Sequence, residues 1–160
     1  FSQLPSGPAI YALFGGKERL HAAYVGIAGN LRSRIKQHLV NRDSSVTTGA
    51  SPVSLNPELI IEVRWWEHPA FADRVRLEAA ELVAFDVLEP TLRSRGSVSD
   101  AVCALQTDAA FYSAMRLLVS ADPSGRLVIP TLQDALDRIE RLEERVRALE
   151  ARLESWREQV

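Results

Sequence analysis

Residues 8–38 read PAIYALFGGKERLHAAYVGIAGNLRSRIKQH, and this stretch decides the fold. Pro8 to Phe14 is a short apolar run rich in β-formers. Gly15-Gly16-Lys17-Glu18-Arg19 makes a polar turn, and Ala22 to Ile27 is a second such run, so the pattern predicts a β-hairpin. Gly29-Asn30 closes the second strand. Asn30 is suited to cap a helix from Leu31 to Val40, in which Leu31, Ile35 and Leu39 recur every fourth residue on one face.

Beyond this stretch, residues 41–57 are loaded with Ser, Thr, Gly, Asn and Pro and read as a long surface loop of the kind that often carries function. Leu59 to Trp66 reads as a third strand, apolar on both faces in its front half and therefore central or covered by helices. Residues 71–88 read as a helix that Pro90 stops. Two shorter helices are expected at 98–106 and 108–120, capped by Ser97 or Ser99 and by Thr107. Asp122-Pro-Ser-Gly125 is a turn and Leu127 to Ile129 a brief extended piece.

From Leu132 onward, Ala135, Ile139, Leu142, Val146, Leu149, Leu153, Trp156 and Val160 alternate three and four apart. That is a coiled-coil stripe. With Ile139, Val146 and Leu153 at position a and Leu142, Leu149 and Trp156 at d, it favours two parallel strands. Arg138 and Arg145 then face Glu143 and Glu150 of a partner helix, while Arg152 against Arg157 is a mismatch. The alternative is a single helix folded back on its own domain; the narrow stripe favours association.

Length and composition narrow the class. A chain of 160 residues has room for one well-buried domain and an appendage. Nearly half the residues are apolar and a quarter charged, which is ordinary for a globular protein. No apolar run approaches the roughly 20 residues needed to cross a bilayer. The chain begins at Phe1 rather than Met, and residues or a larger region preceding it are expected. The single cysteine, Cys103, lies among Ala101, Val102, Ala104 and Leu105; it rules out an internal disulfide, fits a cytoplasmic setting and is expected to be a buried apolar residue. A net charge of −2 hides opposite local signs. Residues 17–42 carry Lys17, Arg19, Arg32, Arg34, Lys36 and Arg42 against Glu18 alone, which gives the N-terminal part a basic face for a polyanion.

The hairpin and its helix also bring together chemistry. Arg34 and His38 stand one helical turn apart, so both can point at one spot, and Arg offers a planar fork that matches phosphate oxygens. Tyr11 and Tyr24 bring phenolic hydroxyls to the same sheet edge if the strands pair as expected. Ala9-Ile10-Tyr11, then Tyr24-Val25-Gly26, then Arg34 ten residues after Tyr24 and His38 four further on together resemble the GIY-YIG nuclease family, over about residues 7–93. The resemblance implies a metal-dependent endonuclease that hydrolyses phosphodiesters, with DNA the first-choice substrate. It implies that Tyr11 is or relays to the general base, that Tyr24 positions water and phosphate, and that Arg34 neutralises the transition state. It further implies one Mg²⁺ or Mn²⁺ ion held by a single glutamate. Glu81, nine residues ahead of Pro90, matches the family's spacing. Glu78, preceded by Leu77, matches its local pattern, and Glu81 is favoured. The chain departs from the family pattern at Ile27, where some members have Lys, and at Arg93, where many have Asn; Arg93 and Arg95 are candidates to take over phosphate contacts, beside Arg32 and Lys36.

The expected fold is therefore α+β, a small three-stranded sheet flanked by helices in ββαβα order over residues 1–95. A helical extension follows at 96–130, and a coiled-coil helix at 131–160 that makes a homodimer through residues 132–160. Two other readings stay open: a GIY-YIG-like module that binds nucleic acid without cutting it, and a coiled-coil assembly protein. His21 is expected at the surface and His68 at a helix entry. Of Trp65 and Trp66, on alternate faces of one strand, one is expected in the core and the other there too or stacked on a base.

Overall fold

Strand β1 (Ala9–Gly15) pairs antiparallel with β2 (His21–Ala28), placing Tyr11 opposite Gly26 and Leu13 opposite Tyr24. The computed structural model describes residues 1–16, 20–42, 55–93, 97–130 and 132–157. All seven residues of β1 are buried, because helices cover both faces of the strand that lies between β2 and β3 (Ile60–Trp66).

Among the described residues the sheet is fully antiparallel and has four strands rather than three, in the order β2-β1-β3-β4. The extra member, β4 (Gly125–Val128), is the extended piece before Pro130, and it pairs with β3 from Glu62 to Trp65. Gly125 sits under the Trp65 indole, where a Cβ would lie 2.2 Å from a ring carbon. Only a residue without a side chain lets the fourth strand close on that ring.

Helix α1 (Leu31–Lys36) begins as its cap predicts, with the Asn30 side chain accepting from the Ser33 N–H at 3.0 Å. It does not continue as an α-helix to Val40. A wider π turn over Gln37–Asn41 takes its place and ends at Arg42 in the left-handed region, φ 56°. A 3₁₀ turn at Pro69–Ala72, capped by the His68 side chain, leads into α2 (Arg74–Leu88). Helices α3 (Asp100–Thr107) and α4 (Ala109–Ser120) follow, then α5 (Leu132–Arg157). Ser99 caps α3 as expected, but α4 is capped by Asp108; the Thr107 hydroxyl donates back to carbonyls of Cys103 and Ala104.

Period two along the strands builds two cores. Ile10, Ala12, Phe14, Val25 and Trp66 pack with Leu77, Val83 and Phe85 of α2 and with Met115 and Val119 of α4. Tyr11, Leu13, Tyr24, Val63 and Trp65 pack with Leu31 and Ile35 of α1 and with Leu4. Truncating Leu31 or Ile35 to Ala would cost roughly 2–5 kcal/mol. Both tryptophans are thus core residues, and neither is a surface platform for a base. Cys103 is exposed, contrary to expectation, because Val102 is the residue α3 turns inward.

Residues 1–129 form one compact unit, so α3, α4 and β4 belong with the sheet, and residues 130–160 form a second. Within that second unit, Leu136, Ile139, Leu142, Val146, Leu149, Leu153 and Trp156 are between 48% and 72% exposed. Among the described residues no helix is long and apolar enough to cross a membrane.

Candidate active site

Cross-strand register explains the site. Tyr11 and Gly26 are direct partners and Tyr24 is the diagonal neighbour, so all three share one face of the sheet. With no side chain at Gly26, both tyrosines fold over it: a Cβ there would meet the Tyr11 hydroxyl at 2.8 Å, and Cε1 and the hydroxyl of Tyr24 at 2.8 and 2.9 Å. The two phenol oxygens converge on one point above the hairpin. The requirement at Gly26 is therefore close approach, with no unusual backbone angle involved.

α1 and the π turn that continues it deliver the other two members, Arg34 and His38. His38, fully buried in the π turn, lies 2.6 Å through Nε2 from the Tyr11 hydroxyl. The His38 ring stands 5.7 Å from that of Tyr11 and 5.4 Å from that of Tyr24, both tilted, and the tyrosine rings are 6.0 Å apart. Arg34 is half-buried beside them. One of its donors, Nη1, is held by Gln37 Oε1 at 3.3 Å, and its buried Nε has no hydrogen-bond partner.

Burial and charge set the proton inventory. Burial, and then Tyr24, push the Tyr11 phenol well above its ordinary pKa, with the Arg34 cation opposing. The Tyr24 phenol is raised by burial and then by the negative charge of Glu81, again opposed by Arg34. His38 is pushed down to about 4, by burial first and by Arg34 second. At neutral pH both phenols are protonated and the imidazole is neutral. In the tautomer that carries its proton on Nδ1, the Tyr11 hydroxyl donates to His38 Nε2, and a proton moving along that bond would leave a phenolate.

Of the two glutamates, Glu81 on α2 acts electrostatically on Tyr24, whereas the Glu78 carboxylate is engaged by Arg74 at 2.6 Å. Among the described residues no group of three or more His, Cys, Asp or Glu side chains comes together to hold a metal ion. A hydrated divalent cation such as Mg²⁺ needs less than that, one or two carboxylates plus substrate oxygens. Glu81, a hard oxygen donor on the Tyr24 side, fits that demand.

The remaining cations divide. Arg32 is committed to the fold: its guanidinium donates to Leu4 O at 2.9 and 2.7 Å and to Ser2 O at 3.2 Å. Those bonds tie the N-terminal segment to α1, whose Leu31 and Arg32 N–H groups donate to Gly7 O and Pro5 O. Lys36 is exposed on α1. The backbone after Pro90 runs beside β2, with Thr91 and Leu92 N–H groups donating to Ala22 O and Ala23 O, and this leaves Arg93 exposed with its guanidinium 5.5 Å from the Phe85 ring centre. Arg95, Lys17, Arg19 and most of the 41–57 loop lie outside the described residues. His21 is exposed.

Two contributors escaped the sequence pattern. Gln37 carries no signature of its own next to Arg34 and His38, although its i+3 spacing from Arg34 is the available signal. Leu92, bridged to Tyr24 on the open edge of β2, has none. In comparisons with known proteins the chain matches no family model, no curated protein and no solved structure.

Proposed function

We propose that the chain is a metal-dependent endonuclease of GIY-YIG type that hydrolyses nucleic-acid phosphodiesters, DNA first among them. The observation that carries this reading is the convergence of two buried phenols on one point above Gly26, with a buried histidine bonded to one of them and an arginine of unpartnered Nε acting on both. A core has no use for so many polar groups at one place, and buried polar groups are ordinarily satisfied.

Arg34 binds the phosphodiester and offsets the charge that builds on its oxygens. Its positive charge is also the second cause of the low His38 pKa, so pairing Arg34 with an anion makes His38 a better proton acceptor. Substrate binding thereby readies the Tyr11–His38 bond to take a proton from the attacking water. Tyr24 orients water and phosphate. Glu81 would hold a magnesium or manganese ion, whose chemistry when bound is to stabilise the developing oxyanion. Lys36 and Arg93 supply sequence-independent phosphate contacts.

α5 is the dimerisation element in this reading. Its half-exposed apolar stripe fits a second copy, and Arg138–Glu143 and Arg145–Glu150 pairs across a parallel dimer give charge complementarity. Two sites per dimer suit a double-strand cut or avidity for a modestly charged module. One cysteine and no membrane-crossing helix among the described residues are compatible with the cytoplasmic setting proposed here.

The test is cleavage of plasmid and single-stranded substrates with Mg²⁺ or Mn²⁺ by the parent, Arg34→Ala and Glu81→Ala. Losing Arg34 should cost about 10²–10³ in rate, the usual worth of one preorganised donor to a transition state. Cleavage that persists in both variants would sink the site assignment. A parent that binds but cuts nothing would favour the non-catalytic module, for which the resting neutrality of both Tyr11 and His38 speaks.

A further inference from the structure

A guanidinium has two forks for a two-oxygen anion, the tip made by Nη1 and Nη2 and the side made by Nε and Nη2. The residues three and four after Arg34 open the π turn that continues α1, and they divide their contacts. His38, at i+4, turns to Tyr11. Gln37, at i+3, accepts from Arg34 Nη1 at 3.3 Å, so binding through the tip would have to break this bond. Nε is left buried and without a partner. The backbone holds Gln37 firmly in this place, since its N–H is shared between the carbonyls of Arg34 and Ser33 at the α-to-π junction.

We propose that Gln37 is a positioning residue that turns the Nε–Nη2 edge of Arg34 toward the two non-bridging oxygens of a phosphodiester. The natural ligand named here rests on the nuclease reading; the geometry itself asks for any two-oxygen anion. Lys at position 34 could not substitute, because it has charge but no fork.

The probe is inorganic phosphate, titrated into the full chain and followed at the Arg34 Nε–H cross-peak, which is identified by its loss in Arg34→Lys. In the parent this peak should move downfield as phosphate binds. Gln37→Met keeps the length but removes the acceptor, and should weaken phosphate binding about tenfold, the worth of one hydrogen bond to a charged group. A parent peak that ignores phosphate overturns the proposal, as does equal binding by the parent and Gln37→Met. With nucleic acid as substrate, Gln37→Met should lower kcat more than it raises KM. A parent whose Nε peak answers phosphate but which cuts no nucleic acid leaves this proposal standing and removes the nuclease reading.

Discussion

Gly26→Ala is the most direct probe of how the two tyrosines are held. The added methyl would sit 2.8 Å from the Tyr11 hydroxyl and 2.8–2.9 Å from two atoms of Tyr24, closer than nonbonded atoms tolerate. Both rings are buried, so neither can swing into solvent. Overpacking of this kind costs about 1–3 kcal/mol. If Tyr11 backs away, its 2.6 Å contact with His38 breaks, and an unsatisfied buried group adds about 1–3 kcal/mol. A net loss of about 2–4 kcal/mol should lower the Tm of the 1–129 unit by roughly 10 °C. Urea unfolding of Gly26→Ala, Tyr11→Phe and the double variant gives the cycle. In the Gly26→Ala background, removing the Tyr11 hydroxyl should cost at least about 1 kcal/mol less than in the parent, because it also removes part of the clash. A Gly26→Ala variant as stable as the parent, or costs that simply add, would refute the reasoning.

Further expectations follow from the same geometry. His38 titrates at about 4 when folded and near 6.5 when unfolded, so between those values the unfolded chain binds the extra proton and stability falls as pH drops through this window. From pH 7 to pH 5 the parent should lose about 2 kcal/mol more than His38→Gln does; equal slopes in urea unfolding would mean that His38 is not held neutral. Arg32→Ala should reduce stability by about 1 kcal/mol through loss of the Leu4 and Ser2 contacts. Lys36→Ala should leave stability within about 0.5 kcal/mol and lower the salt slope of polyanion binding by about one; the reverse pattern would exchange their roles. Paired Leu142→Glu and Leu149→Glu substitutions should turn a dimer into a monomer in sedimentation, and a parent that is already monomeric at tens of micromolar would remove the coiled-coil assignment.

What the sequence alone determined is what short-range periodicity encodes. The hairpin, the Asn30 cap, the third strand, the helix stopped before Pro90 and the long C-terminal helix all rest on contacts between residues two to four apart. The same spacing put Arg34 and His38 on one helical face. Tertiary structure decided matters that depend on residues far apart in the chain. The fourth strand exists because Gly125 can lie on Trp65, sixty positions away, and its four residues have too weak a local pattern to announce it. Arg32 and Arg34 are near neighbours of one residue type, yet one ties down Leu4 and the other faces the tyrosines. Glu78 and Glu81 part in the same way, by which neighbour each one meets. Cys103 is exposed and both tryptophans are buried for a like reason: burial is set by what packs against an element, and a residue's own neighbours in sequence do not contain that information.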